Sequence, residues 1–172
     1  RGKLNTLGCA VFEARFLNVL HRHSDFVALA CRSNMANSFC GGPIQTNAAG
    51  PYRTPSFLVM AMYRAHSRPV PLRVASDVPA AVDVTACAAE DRSALTVFVV
   101  NPGKAPVRVA LDLGDFGPGF SVRGGEVVKD SQERGQADII NSFAGPDRVV
   151  RVKLEKSSGN TVTLPPLAVA AI

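Results

Sequence analysis

Apolar positions follow two different rhythms, and the change falls near residue 70. Over residues 7–23, Cys9, Phe12, Phe16, Val19 and Leu20 recur at steps that place them on one helical face, while Glu13, Arg15, Asn18 and Arg22 fall largely off it. Ser24-Asp25 breaks the pattern. Phe26-Val-Ala-Leu-Ala-Cys31 follows as a short unbroken apolar run, the signature of a strand buried on both faces, as in a parallel sheet. A polar stretch rich in Gly and Asn runs from Arg32 to Arg53 and reads as a long loop. Thr54-Pro55 then predicts a second helix, with Thr able to cap and Pro suited to the first helical position. Phe57, Leu58, Ala61, Met62 and Ala65 form its expected buried stripe, and it stops by Pro69. Helix, buried strand, loop and helix in this order read as a slice of an α/β barrel or the edge of a doubly wound sheet. So small a slice cannot bury its own faces.

Beyond residue 70 the signals become short strands between turn residues. Val82–Ala86 and Leu95–Val100 are candidates, the latter leading through Asn101-Pro102-Gly103-Lys104 into Val107–Leu113. Pro then Gly at the centre of that turn predicts type II. Val107, Val109, Leu111 and Leu113 alternate with polar or small residues, as do Val150, Val152 and Leu154, so each strand should have one buried and one wet face. Thr161–Leu164 and Leu167–Ile172 close the chain around a Pro165-Pro166 bend. Such a series predicts an antiparallel β-sandwich or jelly roll over residues 71–172.

Composition narrows the classes. The chain has 172 residues, 47% of them apolar, which suits a packed core and not a disordered chain. No apolar run approaches the ~18 residues a membrane span needs. The start, Arg1-Gly-Lys-Leu-Asn, carries neither Met nor the apolar core of a secretory leader, so it reads as a piece of a longer protein and leaves the compartment open. The net charge is +5, concentrated upstream of residue 76. The basic residues are scattered singly, with two Tyr and no Trp beside them, so no nucleic-acid surface is expected.

Cys9, Cys31, Cys40 and Cys87 form no C-x-x-C. Cys9 and Cys87, set among small apolar residues, read as buried thiols, and Cys31 is not expected to pair with Cys40. His21 and His23 suit a helix C-terminus better than a zinc site, which needs four convergent ligands. No metal or cofactor is expected. Gly41-Gly42 and Gly124-Gly125 extend to no phosphate loop and read as turns needing positive φ. There is no nucleophile elbow, and His66 beside Ser67 is no triad.

Four segments in register carry a family resemblance. Cys31-Arg-Ser-Asn-Met-Ala-Asn-Ser-Phe-Cys-Gly-Gly-Pro-Ile-Gln-Thr46, followed by Tyr52-Arg-Thr-Pro-Ser-Phe57, resembles the end of the barrel in glycoside hydrolase family 51, the α-L-arabinofuranosidases. Phe12 to Asp25 is similar to the helix after that barrel's seventh strand. Asn141-Ser-Phe-Ala-Gly-Pro-Asp-Arg-Val149 and the terminal Leu164-Pro-Pro-Leu-Ala-Val resemble the family's closing stretches.

The resemblance implies a terminal helix–strand–helix piece of a (β/α)8 barrel over residues 1–70, followed by an antiparallel β-sandwich (jelly-roll) domain over 71–172. It implies a retaining hydrolase that releases terminal arabinofuranose from arabinose-containing polysaccharides. Its two catalytic carboxylates, ~5 Å apart in such enzymes, would lie upstream of Arg1, so no catalytic residue is expected here. Glu13, beside Arg15, reads as a solvated helix face. Asp25 sits at a helix end, and Asp83 and Glu90 fall in the sandwich portion, away from any barrel mouth. The loop after the last barrel strand leaves the end of the cylinder where active sites are built. There Asn34 matches a polar position that touches the sugar, where many members carry the longer Gln. Asn37 matches a recurrent Asn, and Arg32 and Ser33 are weaker candidates. The implied partners are an arabinofuranosyl oligo- or polysaccharide, the rest of the catalytic barrel and possible further copies in a homo-oligomer, with no nucleic acid and no membrane. The alternatives are a non-catalytic carbohydrate-binding sandwich and an interaction module. The first should expose aromatics to sugar rings, but the sandwich portion offers only Phe98, Phe116, Phe120 and Phe143.

Overall fold

Thr6 begins the first helix by accepting the Cys9 N–H at 3.2 Å, the usual way a hydroxyl satisfies an orphan donor of the first turn. The computed structural model describes residues 2–32, 34–38, 41–155 and 159–172, with Gly2 and Lys3 through their backbone alone. Helix α1 spans Leu7–Arg22 and ends on His23, so both histidines stand at a helix C-terminus as expected. Its buried face is Leu7, Ala10, Val11, Ala14 and Asn18. The expected stripe is on the other side: Phe12, Phe16 and Val19 are 69%, 56% and 40% exposed. The helix carries two apolar stripes, and small Ala10 and Ala14 let it lie close to its neighbours where Phe12 and Phe16 would hold it off.

Helix α2, Pro55–His66, starts where expected, with Thr54 as its cap. It buries Val59, Met62 and Tyr63. The stripe expected of it is rotated: Met62 is buried, Phe57, Leu58 and Ala61 are half-buried, and Ala65 is exposed. Tyr63 decides that rotation. Its ring stacks on Phe98 at 4.2 Å, and its hydroxyl donates to Asn18 Oδ1 at 2.6 Å, with the Ala14 carbonyl at 3.2 Å. This bond also explains why polar Asn18 faces inward.

Phe26–Cys31 is not a strand here. Phe26 closes a turn, the backbone that follows is irregular, and Phe26 and Leu29 are 73% and 80% exposed. An apolar run becomes a strand only where a neighbour takes its N–H and C=O groups, and no strand among the described residues borders it. The loop expected over Arg32–Arg53 instead contains a hairpin, β1 (Ile44–Asn47) paired antiparallel with β2 (Gly50–Arg53). Gly50, at φ +127°, makes the return that a side chain would strain.

Among the described residues, the remaining strands form two antiparallel sheets. They are β3 (Val70–Leu72), β4 (Asp83–Ala88), β5 (Leu95–Asn101), β6 (Val107–Ala110), β7 (Gly125–Asp130), β8 (Val149–Leu154), β9 (Thr161–Leu164) and β10 (Ala168–Ala171). The larger sheet runs β3-β4-β5-β10-β7-β8, and β6 pairs with β9 in the smaller. Each face of the larger sheet has its own core. Phe98, Val100, Val128 and Val169 pack under α1 and α2, whereas Val97, Val99, Val127 and Ala170 face Val109, Val162 and Leu164 of the small sheet. The central strands β5 and β10 are buried on both faces, which is why their sequences are almost continuously apolar.

Three further expectations change. Gly103 does not take the positive φ of a type II turn. Asn101 shapes that corner instead: its Oδ1 accepts the Gly103 N–H at 3.0 Å, and its Nδ2 donates to the carbonyls of Ala105 and Pro165 at 2.9 and 2.8 Å. In β8 the buried residues are Val149 and Leu154, while Val152 is exposed, because this strand is the sheet's edge. Of the paired glycines, Gly41 and Gly124 have positive φ, but Gly42 and Gly125 do not. Cys87 is buried, Cys9 is only half-buried and Cys31 is exposed; Cys40 lies outside the described residues. Gly125 sits in β7 because a Cβ there would lie 2.2 Å from the Ala171 carbonyl oxygen. Gly125→Ala is therefore expected to cost about 1–3 kcal/mol of stability, read as a lower Tm in thermal denaturation; an unchanged Tm would mean that β10 moves aside freely.

Candidate functional site

The loop between the apolar run and α2 is held by short-range hydrogen bonds. Asn37 N–H donates to the Ile44 carbonyl at 3.0 Å, and Ile44 N–H returns a bond to the Met35 carbonyl at 3.0 Å. Asn37 Oδ1 accepts the Thr46 N–H at 2.8 Å. Gln45 Nε2 donates to the Gly42 carbonyl at 2.8 Å. Asn34 and Asn37 adopt left-handed backbone conformations, φ 59° and 49°, which Asn tolerates better than most residues. Gly42 lets the limbs close: a Cβ there would meet Ser38 N at 2.9 Å and the Asn34 carbonyl at 3.0 Å.

Two anchors fasten this loop to the body. At its end, Thr54 caps α2 and donates its hydroxyl to the buried Pro43 carbonyl at 2.8 Å. At its start, the Arg32 guanidinium pairs with Glu13 of α1 and donates to the Gly41 carbonyl at 2.9 Å. Farther on, buried Asn141 joins β2 to β8. Its Nδ2 donates to the carbonyls of Arg53 and Val149, both at 3.0 Å, and its Oδ1 accepts the Val149 N–H at 2.7 Å. Tyr52 of β2 meets Phe143 edge to face at 4.7 Å.

Of the residues singled out from sequence, Asn34 and Asn37 fall on this one exposed loop, close to Arg32 along the chain. Asn34 is exposed, and no hydrogen bond from its side chain is described. Asn37 spends its Oδ1 on the Thr46 N–H. Ser33 lies outside the described residues. The loop offers neutral amides, which suit hydroxyl groups, and no acid or base.

Three acidic groups elsewhere, Asp91, Glu126 and Asp130, have their pKa lowered. Arg134 holds the Asp130 carboxyl at a pKa of about 2. Burial opposes the charged form of Glu126, but Arg151 and His66 outweigh it and lower its pKa. The Ser93 hydroxyl lowers that of Asp91. Burial pushes the pKa of His21, which lies against Tyr63 and Phe98, down. Among the described residues no three His, Cys, Asp or Glu side chains gather as a metal site, and no helix is long and apolar enough to cross a membrane.

A family profile described as the α-L-arabinofuranosidase C-terminal domain matches residues 1–168. The chain belongs to that family. Its fold is similar to that of a family 51 α-L-arabinofuranosidase from Bifidobacterium longum, with TM-score 0.73 and 22% identity over 97% of this chain and 34% of that one. It is also similar to the thermostable enzyme of Thermotoga petrophila RKU-1 (TM-score 0.74, 19% identity, 94% and 37% covered). The Thermotoga maritima enzyme in its arabinose complex gives TM-score 0.74 and 17% identity, with 96% and 38% covered. This chain thus spans between 34% and 38% of the length of these structures. Comparison with curated proteins gives no match.

For a domain of the α-L-arabinofuranosidase C-terminal family, the pair that sequence pattern undervalued is Arg32 with Glu13. Glu13 is not a solvated helix face: its side chain is only 24% exposed and is bound to Arg32. A separation of 19 residues hides the pair from helical spacing. One signal was available, since Arg32 is the only cation between Arg22 and Arg53.

Proposed function

We propose that the chain is the C-terminal part of an α-L-arabinofuranosidase, a retaining glycoside hydrolase that releases terminal arabinofuranose from arabinose-containing polysaccharides. The observation that carries this reading is the family match over residues 1–168. In this reading residues 1–70 close a (β/α)8 barrel, contributing its seventh helix, eighth strand and eighth helix, and 71–172 are the jelly roll beside it. Phe26–Cys31, irregular in this chain alone, becomes the eighth strand once the rest of the barrel supplies its neighbours. The exposure of Phe26 and Leu29, and of Phe12 and Phe16 on the outer face of α1, supports this. These side chains form an exposed apolar surface.

The loop that follows such a strand leaves the catalytic end of the barrel. Asn34 and Asn37 then face the sugar: Asn34 offers its whole amide, and Asn37 offers Nδ2 from a side chain already fixed by Thr46. The carboxylates that cleave the glycosidic bond belong to the remainder of the barrel. Asn34→Ala in the full-length protein is expected to lower kcat/KM for an aryl α-L-arabinofuranoside about tenfold, the worth of one hydrogen bond to a ligand. Its Tm should fall by a few degrees at most, because Asn34 is exposed and only the left-handed backbone is less suited to Ala. Unchanged kinetics would remove Asn34 from the site. A full-length protein without this hydrolysis would overturn the functional reading itself.

A further inference from the structure

We infer that Arg32 is the positioning residue of the sugar-facing loop, tying it to helix α1 through Glu13 and to its own far limb through the Gly41 carbonyl. The substrate in this inference rests on the function proposed above; the clamp rests on geometry alone. Arg32 directly precedes the segment that carries Asn34, and its guanidinium donates in two directions at once. One N–H meets Glu13 Oε1, and another meets the Gly41 oxygen at 2.9 Å. A planar fork can do this, whereas a lysine ammonium on a single stem serves one such partner well. The side chains of Arg32 and Glu13 are 25% and 24% exposed, so the pair is partly withdrawn from water and less screened than a surface pair.

The loop needs such a tie. Asn34 and Asn37 hold left-handed conformations, and Gly41 a third at φ +82°. Among the described residues, the hydrogen bonds from Asn37, Ile44, Gln45 and Thr46 close the loop on itself. Arg32 adds a tie to α1, and no other Lys or Arg lies between Arg22 and Arg53 to replace it. Among the described residues Glu13 Oε2 is buried without a hydrogen-bond partner, so loss of Arg32 leaves that carboxylate uncompensated and pushes α1 and the loop apart.

The test uses the full-length protein with Arg32→Gln, Arg32→Lys, Asn34→Ala and the Arg32→Gln/Asn34→Ala double variant. Three quantities are measured: hydrolysis of p-nitrophenyl α-L-arabinofuranoside, Tm, and amide exchange at Asn37, Ile44 and Thr46. Arg32→Gln should lower kcat/KM about tenfold and speed exchange at those amides. The double variant should be no worse than the worse single one, because both changes remove the same sugar contact. Arg32→Lys should recover part of the loss, and it carries the test if Arg32→Gln does not fold. Wild-type kcat/KM in Arg32→Gln and Arg32→Lys, or losses that multiply in the double variant, would overturn the inference. If the wild-type protein hydrolyses no arabinofuranoside, the substrate reading falls and exchange alone decides: faster exchange supports the clamp, and unchanged protection sinks it.

Discussion

The 172-residue chain by itself is expected to hydrolyse no aryl α-L-arabinofuranoside above the buffer background. A retaining hydrolase needs one carboxyl group to attack and a second, kept protonated, to give its proton to the leaving oxygen, about 5–5.5 Å away. The ion pairs of this chain set its carboxylates against cations. Glu13 faces Arg32, Asp83 faces Arg22 at 2.6 Å, Asp130 is gripped by Arg134, and Glu126 is shared by His66 and Arg151. Arg134 lowers the pKa of Asp130, Arg151 and His66 outweigh burial to lower that of Glu126, and the Ser93 hydroxyl lowers that of Asp91. A proton donor at neutral pH requires the opposite shift. Release of p-nitrophenol by the purified chain measures this directly. Turnover that survives repurification would mean that a working acid pair lies within these residues.

The largest expected loss of stability follows Asn141→Ala. The amide of Asn141 satisfies three backbone groups at once, the carbonyls of Arg53 and Val149 and the Val149 N–H, and Asn141 itself is buried. Truncation strands these groups where water does not easily reach, at roughly 1–3 kcal/mol for each group left unpaired. Not all three will remain bare, so the sum is about 3–5 kcal/mol. For a chain of this length that lowers Tm by about 10 °C. Thermal and urea denaturation of the variant check it. A Tm within a degree or two of the wild type would show that water replaces the amide. The location makes the loss consequential, because Asn141 joins β2, at the end of the candidate site, to edge strand β8.

Much of the scaffold was legible, and most of the exceptions share a cause. Thr54-Pro55 announces α2 because capping is local chemistry. Leu95–Val100, Thr161–Leu164 and Leu167–Ile172 announce β5, β9 and β10 because burial on both faces, or a clear bend at Pro165-Pro166, leaves its mark on consecutive residues. What failed depended on residues distant in the chain. Which stripe of α1 turns inward is decided by Tyr63 and Phe98, and nothing in Leu7–Arg22 encodes their positions. Phe26–Cys31 has a strand's composition, but pairing belongs to neighbours and not to composition. The β1–β2 hairpin was hidden because Ile-Gln-Thr-Asn and Gly-Pro-Tyr-Arg are polar enough to read as loop. In the candidate site, Asn34 and Asn37 came from likeness to a family, and the Arg32–Glu13 tie became visible only once α1 and the loop lay side by side.

The larger sheet is a party wall, with helices on one side and strands on the other. Anyone building chimaeras from relatives of this chain would therefore have to move residues 7–66 together with the strands they cover. A graft joined at residue 70 would set a foreign Phe98 counterpart beneath Tyr63, and the seam would run through the closest ring stacking among the described residues.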